Sequence, residues 1–352
     1  MGVVASSISR GAITVGTIDD ARWDAYVDAH PLRTAYHYAG WPRLIARAFS
    51  HQAELLAATD GDVVVGVLPL IVMRSRLFGR FVVSLPFLNE GGLLADDEAV
   101  EGHLVEAGID VARRSGAEYL ELRHRRRHTA ALAARSHKVA MTLPLRESAD
   151  DQWQALDRKV RNQVRKAEKS GVTVASGGVE LLTGFYDVFA RNMRDLGTPV
   201  FGVRLFDESL RTFSDRTRIF VARHREAVVA GSIAHWRGDS IEVIWASALR
   251  ESNSVCANIL LYWHMVQFGI AQGCRRFEFG RCTSGEGPFH FKRQWGAEPS
   301  PLVWEYWHAG PVADVDKTPR NPKYRAAVAI WQRLPLGLTT VVGPRIVRSI
   351  PC

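Results

Sequence analysis

The chain has 352 residues, 47% hydrophobic and 23% charged, which suits two globular domains of about 150 residues each with buried cores. Its formal charge of +8 favours anionic partners (phosphates, nucleotides, RNA or an anionic membrane face) without choosing among them. No run approaches the ~20 apolar residues of a membrane-spanning helix, and the four cysteines, Cys256, Cys274, Cys282 and Cys352, have neither C-x-x-C nor zinc-ligand spacing.

Met1 to Ser6 lacks the basic start and apolar core of a secretory signal, though it fits the loose myristoylation pattern. The main organising feature downstream is an internal repeat. "DGDVVVGVLPL" (Asp60 to Leu70) lines up with "REAVVAGSIAH" (Arg225 to His235), and each reads as a turn opening a strand with a glycine inside it. "GAEYLELR" (Gly116 to Arg123) lines up with "GCRRFEFG" (Gly273 to Gly280), and Gly116 and Gly273 stand where helix-ending glycines would. Between the matches each copy carries a strand and a long helix: 80–86 and 98–114 in the first, 240–246 and 255–272 in the second. Each ends in a closing strand, 138–145 and 302–307. The pattern predicts an α+β fold with mostly antiparallel sheets and helices packed on them. It divides the chain into an N-terminal domain (1–150), a basic connecting helix (151–171), a C-terminal domain (172–310) and a helical tail (311–352).

The connector, "DQWQALDRKVRNQVRKAEKSG", reads as one helix. Trp153, Leu156, Val160, Val164 and Ala167 share a face, and Arg158, Lys159, Arg161, Arg165, Lys166 and Lys169 lie opposite. That cationic face suits a diphosphate, a lipid headgroup or an RNA backbone. It has no interleaved aromatics for base stacking.

"GRCTSGEGPFHFKRQWG" (Gly280 to Gly296) follows directly on a strand. Its glycines allow close backbone approach, and "PFHFKRQWG" reads as a short helix begun by Pro288 and ended by Gly296. Lys292 and Arg293 present cations there. His290 and Glu286 can move protons, Phe291 packs the site, and Cys282 is the one thiol placed for reactivity.

These pieces, with "YHYAGW" (36–41), "SRLFGRFVVSLPFLNEGG" (75–92), "KVRNQVRKAEKSGV" and "NPKYRAAVAIWQRLP", resemble the FemAB-like branch of the GNAT acyltransferase superfamily. The form associated with bacterial exosortase (XrtA/PEP-CTERM) exopolysaccharide systems is the most similar. The resemblance implies two tandem GNAT-like folds flanking a cleft. It implies an acyltransferase of the class transferring groups other than aminoacyl groups, with an amine of a cell-envelope or exopolysaccharide precursor as acceptor. Acyl-CoA is the donor it suggests and aminoacyl-tRNA the alternative, with no metal. Lys292 would stabilise charge, His290 or Glu286 would transfer the proton, and Glu278 would orient the acceptor. Arg161, Asn162, Arg165, Lys166, Phe291 and Arg293 would bind substrate, and His37, Trp41, Asn89 and Glu90 would line the acceptor side. The expected partner is an anionic small molecule or a lipid-linked saccharide, with nucleic acid only if tRNA is the donor. The expected place is the cytoplasm, at the inner membrane face if the protein associates peripherally.

Two departures stand out. The long helical hairpin of peptidoglycan-building members has no room here. The glycine-rich turn that holds coenzyme A diphosphate in ordinary GNAT enzymes corresponds to "RESNSVCANILL" (Arg250 to Leu261), which has no glycine. Two rival readings therefore stay open: an aminoacyl-tRNA-dependent peptidoglycan-precursor transferase, and a non-catalytic polysaccharide-pathway binding protein.

Overall fold

A computed structural model describes residues 12–75, 78–310 and 322–350. Cys352, Met1 to Ser6 and residues 311–321 of the expected tail lie outside them. The first half runs β1 (Ile13–Gly16), α1 (Asp20–Ala29), α2 (Gly40–Phe49), β2 (Gln52–Asp60), β3 (Val63–Ser75), β4 (Gly79–Val83), β5 (Leu94–Ala95), α3 (Glu98–Arg114), β6 (Tyr119–His124) and β7 (Ala133–Pro144). Two connecting helices follow, α4 (Ala149–Ala155) and α5 (Arg158–Lys169). The second half runs β8 (Thr173–Gly177), α6 (Leu182–Asp195), α7 (Val203–Thr212), β9 (Thr217–His224), β10 (Ala227–Arg237), β11 (Ser240–Ala248), α8 (Ala257–Ala271), β12 (Arg276–Cys282), α9 (Gly287–Arg293) and β13 (Glu298–His308). The tail forms α10 (Pro322–Arg333) and α11 (Leu336–Val347).

The repeat shows in the hairpins and caps. β2–β3 and β9–β10 are antiparallel pairs, each with a bulge near its glycine. Gly66 lies under α3, where a Cβ would come within 2.7 Å of Val100 and 2.9 Å of Leu104, so the close helix–strand approach excludes a side chain. Asp97 caps α3 by accepting from Val100 N, and Gly116 ends it with φ +63°. Gly273 does the same after α8 with φ +75°.

The strands form one continuous sheet in the order β1-β2-β3-β4-β6-β13-β7-β12-β11-β10-β9-β8, with β5 paired to β3. The two closing strands are present, but they do not close their own halves. β7 pairs with β12 of the second half, β13 pairs with β6 of the first, and β7 and β13 pair with each other at the seam. The predicted single connecting helix is also broken. Leu156 is extended (ψ 144°), and Asp157 starts a new helix by accepting from Lys159 N. The apolar stripe is otherwise as read, with Leu156, Val160, Val164 and Ala167 buried.

Side-chain alternation builds different layers on the two faces. On one face Ile219, Val221, Ile233 and Trp245 join Val67, Ile71, Phe81 and Val83 in a single core that spans both halves under α1, α2, α6 and α7. On the other face the cores are separate, under α3 in the first half and under α5 and α8 in the second. Trp41 stitches the shared core together. Its ring packs 4.7 Å from Phe213, and its indole N–H donates to Ala35 O at 2.7 Å.

A chain ending at residue 148 would leave β6 without β13 and the shared core without α6 and α7. Such a fragment is expected to show no cooperative melt by near-ultraviolet circular dichroism; a sharp transition would contradict the exchange as a folding requirement.

Candidate active site

Each half contains one short parallel pairing, and both are three residues long. β4 pairs with β6 at Phe81/Tyr119, Val82/Leu120 and Val83/Glu121. β11 pairs with β12 at Ser240/Arg276, Ile241/Phe277 and Glu242/Glu278. After Glu242 and Glu278 the two strands part towards their C-terminal ends. A bulge in β12 helps them do so: its register against β7 shifts between Glu278 and Arg281, where Gly280 takes φ +71°. Lys292, delivered from α9, braces the bulge, its buried ammonium donating to Gly280 O and Arg281 O at 2.9 Å each. Burial pushes that ammonium down to about 8.

The first half fills the apex of this fork. The loop after β4 carries left-handed Leu85 (φ 50°) and Phe87 (φ 72°) and sets Asn89 against Gly280. A Cβ on Gly280 would lie 2.8 Å from Asn89 Nδ2, so glycine is required there for both conformation and space. Asn89 Nδ2 donates to Glu242 Oε1 (2.8 Å) and to the Tyr36 hydroxyl (2.9 Å), and its Oδ1 accepts from Arg281 N (3.3 Å). One amide thus bridges both diverging strands. Glu90 Oε2 accepts from Arg125 Nε at 2.6 Å, and Arg125 Nη2 stands 3.6 Å from Glu278 Oε2. Thr142 Oγ1 donates to Glu278 Oε2 at 2.7 Å.

Three buried carboxylates, Glu90, Glu242 and Glu278, therefore meet beside Arg125, and Arg276 Nε stands 4.0 Å from Glu278 Oε1. Burial, then repulsion from Glu90 and Glu278, pushes Glu242 up to about 8. Burial also raises Glu278, although Arg125 and the Thr142 hydroxyl pull it down. Burial works against the charge on Arg125, but Glu90, Glu278 and Glu242 outweigh it and hold the guanidinium charged. The Tyr36 hydroxyl is driven above its usual range by burial and by Glu242.

Two cavities flank the cluster, and Thr34 lines both. The first, of about 140 Å³, lies beside Glu90, Arg125, His37 and His124. His37 Nδ1 accepts from Thr34 N at 3.0 Å, so its proton sits on Nε2, and burial pushes the ring down to about 3. Among the described residues Glu90 Oε1 has no hydrogen-bond partner. The second cavity, of about 130 Å³, lies on the paired side of the fork and is lined by Arg33, Tyr38, Arg237, Asp239, Ser240 and Arg276.

Apart from Trp41, the expected residues fall into three groups. Lys292, Glu278, Asn89, Glu90 and His37 gather at or beside the fork. At the α9 rim, exposed His290 bonds Gly285 O (3.1 Å), Arg293 bonds Ala297 O (3.3 Å), Glu286 is exposed, and Phe291 packs on Tyr262. On α5 the contacts are local: Arg161 with Gln154, and Arg165 with Asn162 and over Trp153, while Asn162, Arg165 and Lys166 are exposed. Among the described residues no contact joins these α5 side chains to Lys292, whose charge is spent on backbone carbonyls. The Lys292 ammonium is thus directed at the β12 backbone, whereas Arg165 and Lys166 on α5 are exposed. Trp41 is core rather than site lining. Cys282 is buried and its thiol raised by burial, which keeps it protonated.

Sequence reasoning missed Tyr36, Arg125, Thr142 and Glu242. Glu242 had a readable signal, a lone carboxylate amid Ile241, Val243 and Ile244 in a buried strand. Arg125 is hidden within the Arg123–Arg127 basic run. At the place of the coenzyme A turn, a 3-10 turn (Arg250–Val255) leads into α8, and its amides bond inward, Ser252 N to Leu249 O and Cys256 N to Asn253 O. No group of three or more His, Cys, Asp or Glu among the described residues is arranged to hold a metal ion. No helix among them is long and apolar enough to cross a membrane.

A doubled module with a forked parallel strand pair in each half is a distinctive plan. Residues 154–293 match the family model for an acetyltransferase (GNAT) domain. Three solved structures share the wider architecture. FemX aligns with a TM-score of 0.65 at 13% identity, over 83% of this chain and 96% of its own. The C-terminal domain assigned to a lysylphosphatidylglycerol synthetase of Agrobacterium fabrum aligns at 0.55 and 12%, over 83% and 90%. A tandem GNAT protein from the clavulanic acid biosynthesis pathway aligns at 0.51 and 14%, over 86% and 100%. At these identities the likeness is one of fold, and the fold is GNAT-like in tandem. No curated protein matches the sequence.

Folded Glu242 holds its proton more tightly than the unfolded chain does, so its contribution to stability falls as pH rises from about 4.5 to about 8. The melting temperature of Glu242→Gln relative to the parent is expected to climb between pH 5 and pH 8; an unchanged difference would contradict the raised carboxyl.

Proposed function

We propose that the protein is an N-acyltransferase that moves an acyl or aminoacyl group onto an amine of a cell-envelope or exopolysaccharide precursor. The observation that carries this reading is the β11–β12 fork with a near-neutral carboxyl at its apex, inside the segment that matches the GNAT domain. Where a parallel ladder stops, backbone groups along the gap become available to an extended, amide-bearing chain. An acyl group lying in that gap would abut the Asn89 amide that fills its apex, one hydrogen bond from Glu242.

The reaction needs a neutral amine, a base and a place for the oxyanion. The amine nitrogen attacks the acyl carbon, forming the C–N bond. Glu242, in its ionised form, takes the amine proton. The C–S or C–O bond to the donor then breaks, and the proton passes to the leaving thiolate or alkoxide. Arg125 pairs with Glu90 and stands beside Glu278, which leaves Glu242 as the member poised near neutrality. Asn89 and Tyr36 orient it. Lys292 acts as a positioning residue that holds the β12 bulge, a change from the direct charge stabilisation expected of it. Backbone N–H groups along the gap are what the site offers an oxyanion. The cavity beside His37 and Glu90 faces the cluster from the first half and suits the acceptor.

An acyl-CoA donor agrees with the GNAT-domain match, although its diphosphate would meet an inward-bonded turn rather than a glycine-rich amide cradle at the start of α8. The aminoacyl-tRNA alternative draws on the fold likeness to FemX and to the lysylphosphatidylglycerol synthetase domain, and on the exposed cations of α5. Those likenesses leave the narrower expectation, a class excluding aminoacyl groups, without support.

The test offers acyl-CoA thioesters and charged tRNA in parallel, with amino-sugar nucleotides as acceptors. Transfer from the thioester, unaffected by ribonuclease and rising towards pH 8, is expected. Glu242→Gln should lower kcat/KM by about 10²–10⁴-fold and abolish that rise. Full turnover by a folded Glu242→Gln protein would remove the assignment. Ribonuclease-sensitive transfer would select the tRNA reading, and no turnover with any pair would favour the binding-protein reading.

A further inference from the structure

The tail helices pack onto α6 by their inner faces only. Gly197 leaves no room for a Cβ beside Val328, and Gly202 lies against Pro344. Gln332 Nε2 donates to Asp195 O at 2.9 Å, and Thr339, Gly343 and Val347 are buried. The outer faces are another matter. On α10, Ala326, Ala327, Ala329 and Ile330 are exposed, and on α11 Leu338 and Val341 are. Leu196 and Val203, at the two ends of the α6–α7 connection on which the tail rests, are exposed as well.

The numbers show how unusual this face is. Among the described residues nine large apolar side chains are exposed, and five of them belong here: Leu196 (52%), Val203 (45%), Ile330 (63%), Leu338 (46%) and Val341 (58%). Scattered single exposures need no explanation, but a group on one face marks an interaction surface. Its charge is one-sided. Residues 322–350 contain five lysines and arginines and no aspartate or glutamate, and Arg325, Arg333 and Arg345 are exposed among the apolar residues. Two acidic side chains of the α6–α7 region are already engaged, Asp195 with Arg194 at 2.8 Å and Glu208 with Arg47 at 3.0 Å.

We infer that the outer face of α10–α11, with Leu196 and Val203, docks on an anionic lipid bilayer surface. Aliphatic side chains at the headgroup boundary and guanidinium groups among lipid phosphates are what such a face accommodates. A second copy fits it poorly, because a two-fold contact would bring the same arginines of both chains together. A nucleic acid fits poorly too, because the centre of the face is aliphatic and, among its described side chains, no aromatic ring is exposed to stack on bases. The inference stands apart from acyl transfer, and either can fail without the other.

The experiment is co-sedimentation of the full chain with vesicles of phosphatidylglycerol and phosphatidylcholine, against vesicles of phosphatidylcholine alone. Binding is expected with the first, about tenfold or more weaker with the second, and falling with added salt. The triple variant Ile330→Ser/Leu338→Ser/Val341→Ser, altered only at exposed positions and checked for an unchanged circular dichroism spectrum, is expected to lose it. Arg165→Glu/Lys166→Glu, which alters the other cationic helix, is expected to bind as the parent does. Equal binding to both vesicle types, no binding, or full binding by the triple variant would overturn the proposal. So would loss of binding confined to the α5 variant, or a dimer in sedimentation analysis that the triple variant abolishes.

Discussion

The exchange of closing strands governs the rest of this molecule. β7 leaves the first half to complete β12, β13 leaves the second to complete β6, and the two lie side by side at the seam. Each hydrogen-bond ladder then serves as both a domain interior and a domain interface. The shared core under α1, α2, α6 and α7 follows, because a sheet with no internal edge lets one apolar layer run across both halves. Thr142, carried on β7, reaches Glu278 only because of this exchange.

The seam is also where the chain tolerates an expensive arrangement. Three carboxylates largely out of water, with Arg125 and Arg276 as their guanidinium partners, cost free energy that a hydrophobic replacement would not. The structure limits that cost by neutralising one of them. Glu242 takes a proton at a pH where an exposed glutamate would not, and it accepts from the Asn89 amide, with the Tyr36 hydroxyl also in hydrogen-bond contact. A perturbed carboxyl at a strand fork, held by groups from both halves, is what proton transfer near neutrality requires. The braced bulge at Gly280 belongs to the same device. Without it β12 would stay paired with β11, and Asn89 would have no gap to enter.

Much of the architecture was legible because it is local. Gly116 and Gly273 mark helix ends in both copies, Pro288 and Gly296 bracket α9, and the buried stripe of α5 follows from its period. Strand partnership was not legible. β7 and β13 carry alternations that satisfy either half, and nothing local tells an edge strand which neighbour to join. The break at Asp157 was obscured by a continuous amphipathic pattern, although an aspartate before a basic run is a good cap. The site was half legible. Lys292, Glu278, Asn89 and Glu90 stood out by chemistry or resemblance, whereas Glu242, Tyr36 and Arg125 meet only through the pairing that brings them together. The basic face of α5 was read correctly as clustered charge, yet clustering along a helix does not tell where the helix points.

The central claim is that the seam creates a carboxyl with an affinity for protons matched to neutral pH. The most direct measurement is a carbon-13 NMR titration of the protein with labelled glutamate side chains. The account predicts one carboxyl resonance that titrates near pH 8 and is missing from the Glu242→Gln spectrum. If every glutamate carboxyl titrated below about pH 5.5, within about one unit of the ordinary range, the account would be contradicted.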